Sequence, residues 1–157
     1  MNLKFLLNGQ EYSCETSPDR RVVDLLREDI GLGGTKECCG AGECGACTIL
    51  VDGESRLSCL MLAAQLMDRS VVTIEGVARN GEMHVLQNAF VEYGAVQCGY
   101  CTPGMILASL DLLHRNPEPT REQVRESLSG NLCRCTGYHK IVDAVMAAAR
   151  SLKKGRC

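Results

Sequence analysis

A short segment crowded with cysteine and glycine constrains the fold of this chain more than any other feature. Cys39, Cys44 and Cys47 follow one another with C-x4-C-x2-C spacing, and Cys59 comes later, after a predicted hairpin. This is the spacing of a plant-type [2Fe-2S] site, in which one loop supplies three thiolates and a neighbouring element supplies the fourth. The glycines between the cysteines let the backbone bend so that peptide N–H groups point at the sulfides.

Zinc is the alternative ligand for these four cysteines, because it also binds four thiolates in tetrahedral geometry. Zinc ribbons and fingers usually pair two C-x2-C knuckles, however, and a crowded loop followed by one distant cysteine fits them poorly. The spacing therefore favours an iron-sulfur cluster over zinc in the first half of the chain.

A second set of cysteines lies in the other half of the chain. Cys98 and Cys101 form one close pair, and Cys133 and Cys135 form another. Each pair precedes a predicted helix, where unpaired N–H groups and the helix dipole favour bound negative charge. By spacing alone, these four residues fit a second [2Fe-2S] cluster or a zinc ion, and an isolated C-x2-C also fits a redox-active dithiol.

Composition and charge narrow the functional classes. The chain has 157 residues and eleven cysteines, and its formal net charge is −2. We find no export signal and no apolar segment of membrane-spanning length, so we expect a cytoplasmic protein whose cysteines bind metal rather than form disulfides. Lysine and arginine are spread along the chain instead of forming a stripe, which gives no indication of a nucleic-acid partner.

The first half of the sequence predicts a small α+β unit. Residues 3–15 alternate in hydrophobicity around Asn8 and Gly9, a dipeptide typical of tight hairpins. A helix is expected over 20–32, a second hairpin over 47–58, a short helix over 59–67 and a strand over 70–77. Strands, one crossing helix and a long loop make an α+β arrangement.

Beyond Gly76 the pattern changes to helical segments separated by glycine and proline. Thr102 is predicted to cap one helix, with Pro103 at its first position, and Thr120 begins another with a capping box. Short loops between helices indicate a bundle. The four predicted helices cover residues 83–94, 102–117, 120–130 and 138–154. The domain limits that follow are 1–78 and 79–157.

Three segments carry a resemblance to a known family. They are CGAGECGACTILVDG, GAVQCGYCTPGMI and GNLCRCTGYHKIV, which start at Cys39, Gly94 and Gly130. They resemble, in the same order, the signature segments of the two-cluster iron-sulfur subunit of the molybdenum hydroxylases, the xanthine dehydrogenase and aldehyde oxidoreductase family. The resemblance implies a ferredoxin-like β-grasp domain followed by an all-α four-helix domain, each binding one [2Fe-2S] cluster.

The resemblance also implies roles for particular residues. The first cluster, nearer the flavin, would be bound by Cys39, Cys44, Cys47 and Cys59. The second, nearer the molybdenum, would be bound by Cys98, Cys101, Cys133 and Cys135. Gln97 matches the family glutamine that contacts the pterin of the molybdenum cofactor, and Cys135 matches the ligand closest to that pterin.

By the same resemblance, the chain is the electron-transfer subunit of an oxidoreductase. It would relay electrons from a molybdenum-pterin centre on a large subunit to FAD on a third subunit, in a heterotrimer or its dimer. The reaction would be hydroxylation of an aromatic heterocycle, a purine or an aldehyde, with no substrate site on this chain. The alternative is a free-standing two-cluster ferredoxin-type carrier, although such carriers tend to be strongly acidic and a net charge of −2 is small.

Three cysteines remain outside the two sets of four. Cys38 stands where relatives commonly have glycine and is interpreted as a bystander beside a ligand. Cys14, in a predicted strand, is expected to be a small core residue, and Cys157 is a thiol in the C-terminal tail. The three histidines, His84 among them, are isolated in the sequence and are expected to be solvated, since no C-x-H pattern indicates a Rieske site.

Overall fold

The structure is a computed structural model and describes residues 1–154. The tail thiol Cys157 lies outside the described residues. A five-stranded sheet forms the N-terminal part, and four helices form the C-terminal part. The predicted α+β class is confirmed. None of the helices within residues 1–154 is long and apolar enough to cross a membrane.

The first hairpin follows the predicted alternation. Strand β1 spans Asn2–Leu7 and strand β2 spans Gln10–Glu15, paired antiparallel. The alternate side chains of β1 point into the core, as its buried and exposed positions show. Asn8 and Gly9 both have positive φ, 52° and 84°, which is the backbone twist that joins two strands in a two-residue turn.

The remaining strands complete a mixed sheet. Strands β3 (Thr48–Val51) and β4 (Glu54–Leu57) form the second predicted hairpin, and β5 (Ser70–Val72) follows. The strand order is β2-β1-β5-β3-β4, with β1 and β5 parallel and the other pairs antiparallel. A short helix α1 (Val22–Asp24) continues as a π-helix, Leu25–Asp29, and packs its apolar residues on the sheet.

The helix predicted over 59–67 is wrong. The structure has two 3₁₀ turns there, Ser58–Leu60 and Ala63–Leu66, separated by extended backbone. In the extended stretch, the carbonyl of Met61 accepts from the N–H of Val22, and the N–H of Ala63 donates to the carbonyl of Arg20. These bonds to the start of α1 replace the intrahelical bonds that a continuous helix would have made.

Strand β5 is also shorter than the predicted 70–77. It ends because the N–H of Thr73 donates to the side-chain oxygen of Asn8 at 2.9 Å instead of continuing the ladder. A 3₁₀ turn over Ile74–Gly76 follows. A turn residue of the first hairpin therefore sets the end of a strand 65 residues later.

Four helices form the second part of the molecule, as predicted. They are α2 (Val85–Glu92), α3 (Thr102–Arg115), α4 (Arg121–Ser127) and α5 (His139–Lys154). Their buried side chains form one apolar core, which Leu50 of β3 joins. Helix α3 is buried over most of its length, because it lies between the other helices and the sheet.

The cap predicted for α3 and the solvated side chain predicted for His84 are wrong, and the capping box predicted for α4 is confirmed. Cys101, not Thr102, occupies the N-cap position of α3, without a side-chain capping hydrogen bond, and the helix already includes Thr102. His84 is half-buried and caps α2, because its Nδ1 accepts from the N–H of Leu86 at 3.2 Å. Burial lowers the pKa of His84. The capping box of Thr120 and Gln123 at α4 is confirmed.

Candidate metal centres

The first four predicted ligands lie on two neighbouring elements. Cys39, Cys44 and Cys47 occupy the long loop between the π-helix and β3, and Cys59 lies in the 3₁₀ turn after β4. Gly42 takes a φ of 79°, and a Cβ there would meet the side chain of Leu60 at 2.5 Å. The loop is thus closed against the turn that carries the fourth cysteine, in a conformation that needs glycine.

The exposed end of this site stabilises a thiolate through the backbone. The N–H groups of Ala41 and Glu43 donate to the Sγ of Cys39 at 3.4 and 3.3 Å. Hydrogen bonds from these peptide groups, and from that of Cys44, lower the pKa of Cys39 to about 6. Peptide dipoles of a bent loop therefore face the sulfur and favour its charged form.

The inner end of the same site is apolar. Cys47 and Cys59 are buried, and their thiols share a hydrogen bond. Burial raises the pKa of Cys47 to about 11. Val23 and the partly buried Leu57 pack around the pair. A positively charged metal at this position would supply what the surroundings lack and hold both sulfurs as thiolates.

The second four cysteines come from two loops of the helical part. Cys98 and Cys101 lie between α2 and α3, and Cys133 and Cys135 lie between α4 and α5. The thiol of Cys135 donates to the sulfur of Cys98 at 3.6 Å. Cys101 and Cys133 share a second thiol hydrogen bond. The structure thus brings together four residues that the sequence separates into two pairs.

The cysteines of the second set differ in pKa according to their surroundings, as those of the first set do. Burial raises the pKa of Cys101 to about 12. Burial acts in the same direction on Cys133, but the hydroxyl and the N–H of Thr136 donate to its Sγ at 3.0 and 3.4 Å and the net pKa is lowered. Each site therefore combines a thiol that favours ionisation with one that needs a metal to ionise.

The pairing of the thiols bears on the kind of metal. Within residues 1–154, no three Cys, His, Asp or Glu side chains form a group that could hold one metal ion. A zinc site made of four cysteines needs all four sulfurs about 2.3 Å from one point. A [2Fe-2S] cluster needs a different arrangement, because each of its two irons takes two cysteine thiolates. The pairs of cysteines in this structure therefore fit a [2Fe-2S] cluster.

A buried hydroxyl beside the second site also fits a sulfur-containing group. Thr35 and Thr102 each have a buried Oγ1 that finds no hydrogen-bond partner among the described residues. Thr102 directly follows Cys101 in the chain. A buried hydroxyl without a partner is costly, and sulfur atoms of a bound cluster are acceptors that would satisfy it.

Three contacts between the two sites were not predicted. The N–H of Leu132 donates to the carbonyl of Cys44 at 2.9 Å, and the hydroxyl of Tyr100 donates to the carbonyl of Glu37. Asn131 is buried against the first loop. These partners are 63 or more residues apart, and no spacing rule links an apolar residue to a backbone carbonyl so far away. Of the three, only Asn131 has a side chain whose chemistry indicates such a contact, because a polar side chain that is buried must find hydrogen-bond partners.

Two described cysteines, Cys14 and Cys38, lie outside both sets of four. Cys14, in β2, is half-buried and packs against the core of the sheet, and burial raises the pKa of its thiol. Cys38 is exposed, and its thiol shares a hydrogen bond with that of Cys44. The charge of Cys44 raises the pKa of Cys38. All ten cysteines within residues 1–154 are free thiols.

The fold and the two sets of four thiols define an iron-sulfur electron-transfer protein. A 2Fe-2S iron-sulfur cluster binding domain matches residues 5–71, and a second [2Fe-2S] binding domain matches residues 73–146. The nicotinate dehydrogenase small FeS subunit of Eubacterium barkeri is 54% identical over 142 residues, which are 90% of each chain.

Comparison with solved structures gives matches to the same kind of protein. The crystal structure of quinoline 2-oxidoreductase from Pseudomonas putida 86 contains a chain that is 43% identical, with a TM-score of 0.94, and the match covers 100% of this chain and 98% of that one. The aldehyde oxidoreductase of Desulfovibrio gigas matches with 37% identity and a TM-score of 0.95, over 99% of this chain but 17% of the longer one.

The chain belongs to the family of two-cluster iron-sulfur subunits of the molybdenum hydroxylases. It carries two [2Fe-2S] clusters and is the electron-transfer subunit of a multi-subunit oxidoreductase. The resemblance carried by its three cysteine motifs, and the fold that it implied, are confirmed.

Proposed function

We propose that this subunit relays electrons one at a time between a molybdenum-pterin centre on a large partner subunit and FAD on a further subunit. The observation that carries the proposal is the joining of two sets of four free cysteines by the hydrogen bond from Leu132 to Cys44. A [2Fe-2S] cluster supplies one-electron chemistry when bound. The protein itself needs only to hold the two centres in place, close to each other.

The eight predicted cysteines are the ligands in this proposal. Their contacts support a pairing in which two thiolates bind each iron. In the first site the pairs are Cys39 with Cys44 and Cys47 with Cys59. In the second site they are Cys98 with Cys135 and Cys101 with Cys133.

The surrounding residues orient and shield these sulfurs. Apolar packing around Cys47 and Cys59 excludes water from the inner half of the first site. Backbone N–H groups face Cys39 on the outer half, and Thr136 donates to Cys133 in the second site. Hydrogen bonds to sulfur and solvent access both tune the potential of an iron-sulfur centre, so these contacts give the two sites different electrostatic surroundings.

The exposed side of the second site is the proposed contact with the molybdenum subunit. Gln97, Cys98 and Cys135 are exposed, and the nearby Val96 and Leu132 expose apolar side chains. Exposed sulfur beside exposed apolar surface is expected where a partner covers a redox centre. In the proposal, Gln97 and Cys135 contact the pterin across that interface, and the first site faces the flavin subunit.

The substrate class follows from the relatives and belongs to the holoenzyme. The relatives named above are a nicotinate dehydrogenase, a quinoline oxidoreductase and an aldehyde oxidoreductase. We place an aromatic heterocycle with a pyridine ring, such as nicotinate or quinoline, first, ahead of a purine or an aldehyde. The same proposal includes domain limits of 1–78 and 79–157 and a heterotrimeric assembly. It also includes a cytoplasmic location, since free thiol ligands require a reducing compartment.

Metal analysis of the purified complex tests the relay. We expect about four irons for each copy of this chain, and X-ray anomalous scattering at the iron edge that resolves two dinuclear centres. We also expect co-elution with a chain that binds molybdenum. A colourless, folded preparation with bound zinc would contradict the cluster assignment. A fully active monomer would favour the alternative, a free-standing two-cluster carrier.

A further inference from the structure

A buried asparagine lies between the two sites and belongs to neither set of ligands. Asn131 exposes 7% of its surface. Its side-chain Nδ2 donates to the carbonyl of Gly45 at 3.0 Å and to the Oγ1 of Thr48 at 3.2 Å. Both partners are more than 80 positions away in the sequence, so this one amide connects the loop of the second site to the loop of the first.

The space around this amide is closed. A Cβ on Gly45 would meet the carbonyl of Gly130 at 2.4 Å and the Nδ2 of Asn131 at 2.6 Å. A Cβ on Gly104 would meet the carbonyl of Gly45, also at 2.4 Å. Backbone from three separate segments therefore meets at Gly45, and small side chains are needed for the amide to reach it.

The residues that Asn131 holds are next to proposed ligands. Gly45 follows Cys44, and Leu132 separates Asn131 from Cys133. The N–H of Leu132 donates to the carbonyl of Cys44 immediately beside the side-chain contact. One backbone hydrogen bond thus joins a proposed ligand of the first site to the residue before a proposed ligand of the second, and the amide of Asn131 braces it from the adjoining residue.

We infer that Asn131 is a positioning residue that sets the separation and the electronic contact of the two clusters. The inference rests on the proposed function, because it takes Cys44 and Cys133 as ligands. An electron that crosses between the sites oxidises one cluster by one electron and reduces the other by one, with no proton or bond to carbon involved. Its rate depends on how closely and how rigidly the two loops are held.

A purely structural role for Asn131 predicts something different. A neutral hydrogen bond that only supports the fold contributes about 1 kcal/mol to stability, and its loss would leave the magnetic interaction of the clusters unchanged. The carbonyl of Gly45 keeps the N–H and the hydroxyl of Thr48 as donors after Asn131 is replaced. The loss of the amide therefore leaves that acceptor satisfied while it removes the brace.

Electron paramagnetic resonance of the reduced holoenzyme tests the inference. Each singly reduced cluster has a net electron spin of one half, and two such spins that lie close together split or relax each other's signals at low temperature. We expect this interaction in the unmodified complex and its loss or marked reduction in Asn131→Ala, with both separate signals and the iron content retained. Asn88→Ala is the matched control, because its side chain donates to a backbone carbonyl of the exposed surface, that of Met83.

The outcomes separate the inference from the proposed function. An Asn131→Ala complex with an unchanged interaction would overturn the inference, and so would one that loses either cluster, because the residue would then retain a cofactor rather than set a distance. Failure to detect two clusters in the unmodified complex would instead overturn the proposed function. If Asn131→Ala does not assemble, Asn131→Leu is the second variant, because it keeps a side chain of similar size and removes both hydrogen bonds of the amide. An unchanged interaction in that variant counts against the inference, and a reduced one supports it.

Discussion

The N–H of Leu132 donates to the carbonyl of Cys44 at 2.9 Å and so joins the two halves of the molecule at their metal sites. One partner directly precedes Cys133 and the other is itself a proposed ligand. A relay needs two centres at a constant separation, and a hydrogen bond between their own backbones is the most direct way to provide it.

Replacement of one ligand in each site should remove one cluster at a time. We expect Cys44→Ser to lose the first cluster and retain the second, and Cys133→Ser to do the reverse, since each set of thiols lies in its own loops. Iron content and the two separate paramagnetic signals are the measurements. Cys14→Ser is the control, because that thiol lies in a strand outside both sets. Equal loss of both signals in either ligand variant would show that the division into two sites is wrong.

The bystander role of Cys38 predicts a difference between adjacent cysteines. We expect Cys38→Ala to retain both clusters, because within residues 1–154 its exposed thiol has no backbone donors like those at Cys39. Cys39→Ala should lose the first cluster. The measurement is iron per chain, with the visible spectrum of the purified complex. A stable first cluster in Cys39→Ala that disappears in the double variant would instead make Cys38 an alternative ligand.

Close packing at Gly104 predicts a cost for one added methyl group. A Cβ there would meet the carbonyl of Gly45 at 2.4 Å, so Gly104→Ala must push the first cysteine loop away from α3. We expect a loss of about 1–3 kcal/mol in the free energy of unfolding, measured by denaturant titration. Gly130→Ala is the matched control, since no atom of the part of the chain that the structure describes lies within 4 Å of its Cβ position. Equal stability of both variants would mean that the loop yields without cost.

The buried carboxylate of Asp111 predicts a pH-dependent contribution to stability. It accepts from the N–H and hydroxyl of Ser55, at 3.1 and 2.6 Å, and from Arg115 at 2.8 Å. Burial raises its pKa, but these hydrogen bonds outweigh burial and hold the pKa below the ordinary 3.8. The stabilisation is therefore complete above the unfolded value and is lost as pH falls through the lower native pKa.

Asp111→Asn should accordingly lower the free energy of unfolding by about 1–3 kcal/mol at neutral pH. The difference from the unmodified protein should be constant down to about pH 5 and shrink below that. Denaturant titrations at several pH values measure it. Asp143→Asn is the control, because its carboxylate pairs with Arg121 at an exposed site and should matter by less than about 0.5 kcal/mol. A difference that grows toward acid pH would contradict the expected sign.

Local sequence patterns predicted the secondary structure correctly where the residues that interact are also close in the sequence. The turn at Asn8 and Gly9, the alternation in β1 and the capping box at Thr120 were all predicted and are confirmed. Predictions were wrong where distant backbone competes for hydrogen bonds. The extended backbone at Met61 bonds to Val22, where a helix was expected. The domain limits and the ligand assignment stay predictions.

Cysteine spacing is enough to indicate the first [2Fe-2S] site, because a tight loop places three sulfurs within a few residues. For the second set, spacing leaves zinc or a dithiol open, and the resemblance of the three cysteine motifs to the family indicates the cluster. Hydrophobic periodicity is enough to indicate a sheet followed by helices. The pairing of Cys98 with Cys135, the buried place of Asn131 and the bond from Leu132 to Cys44 arise only when the chain folds. They join residues more than 30 positions apart, and at that range it is the packing of whole elements that selects a partner.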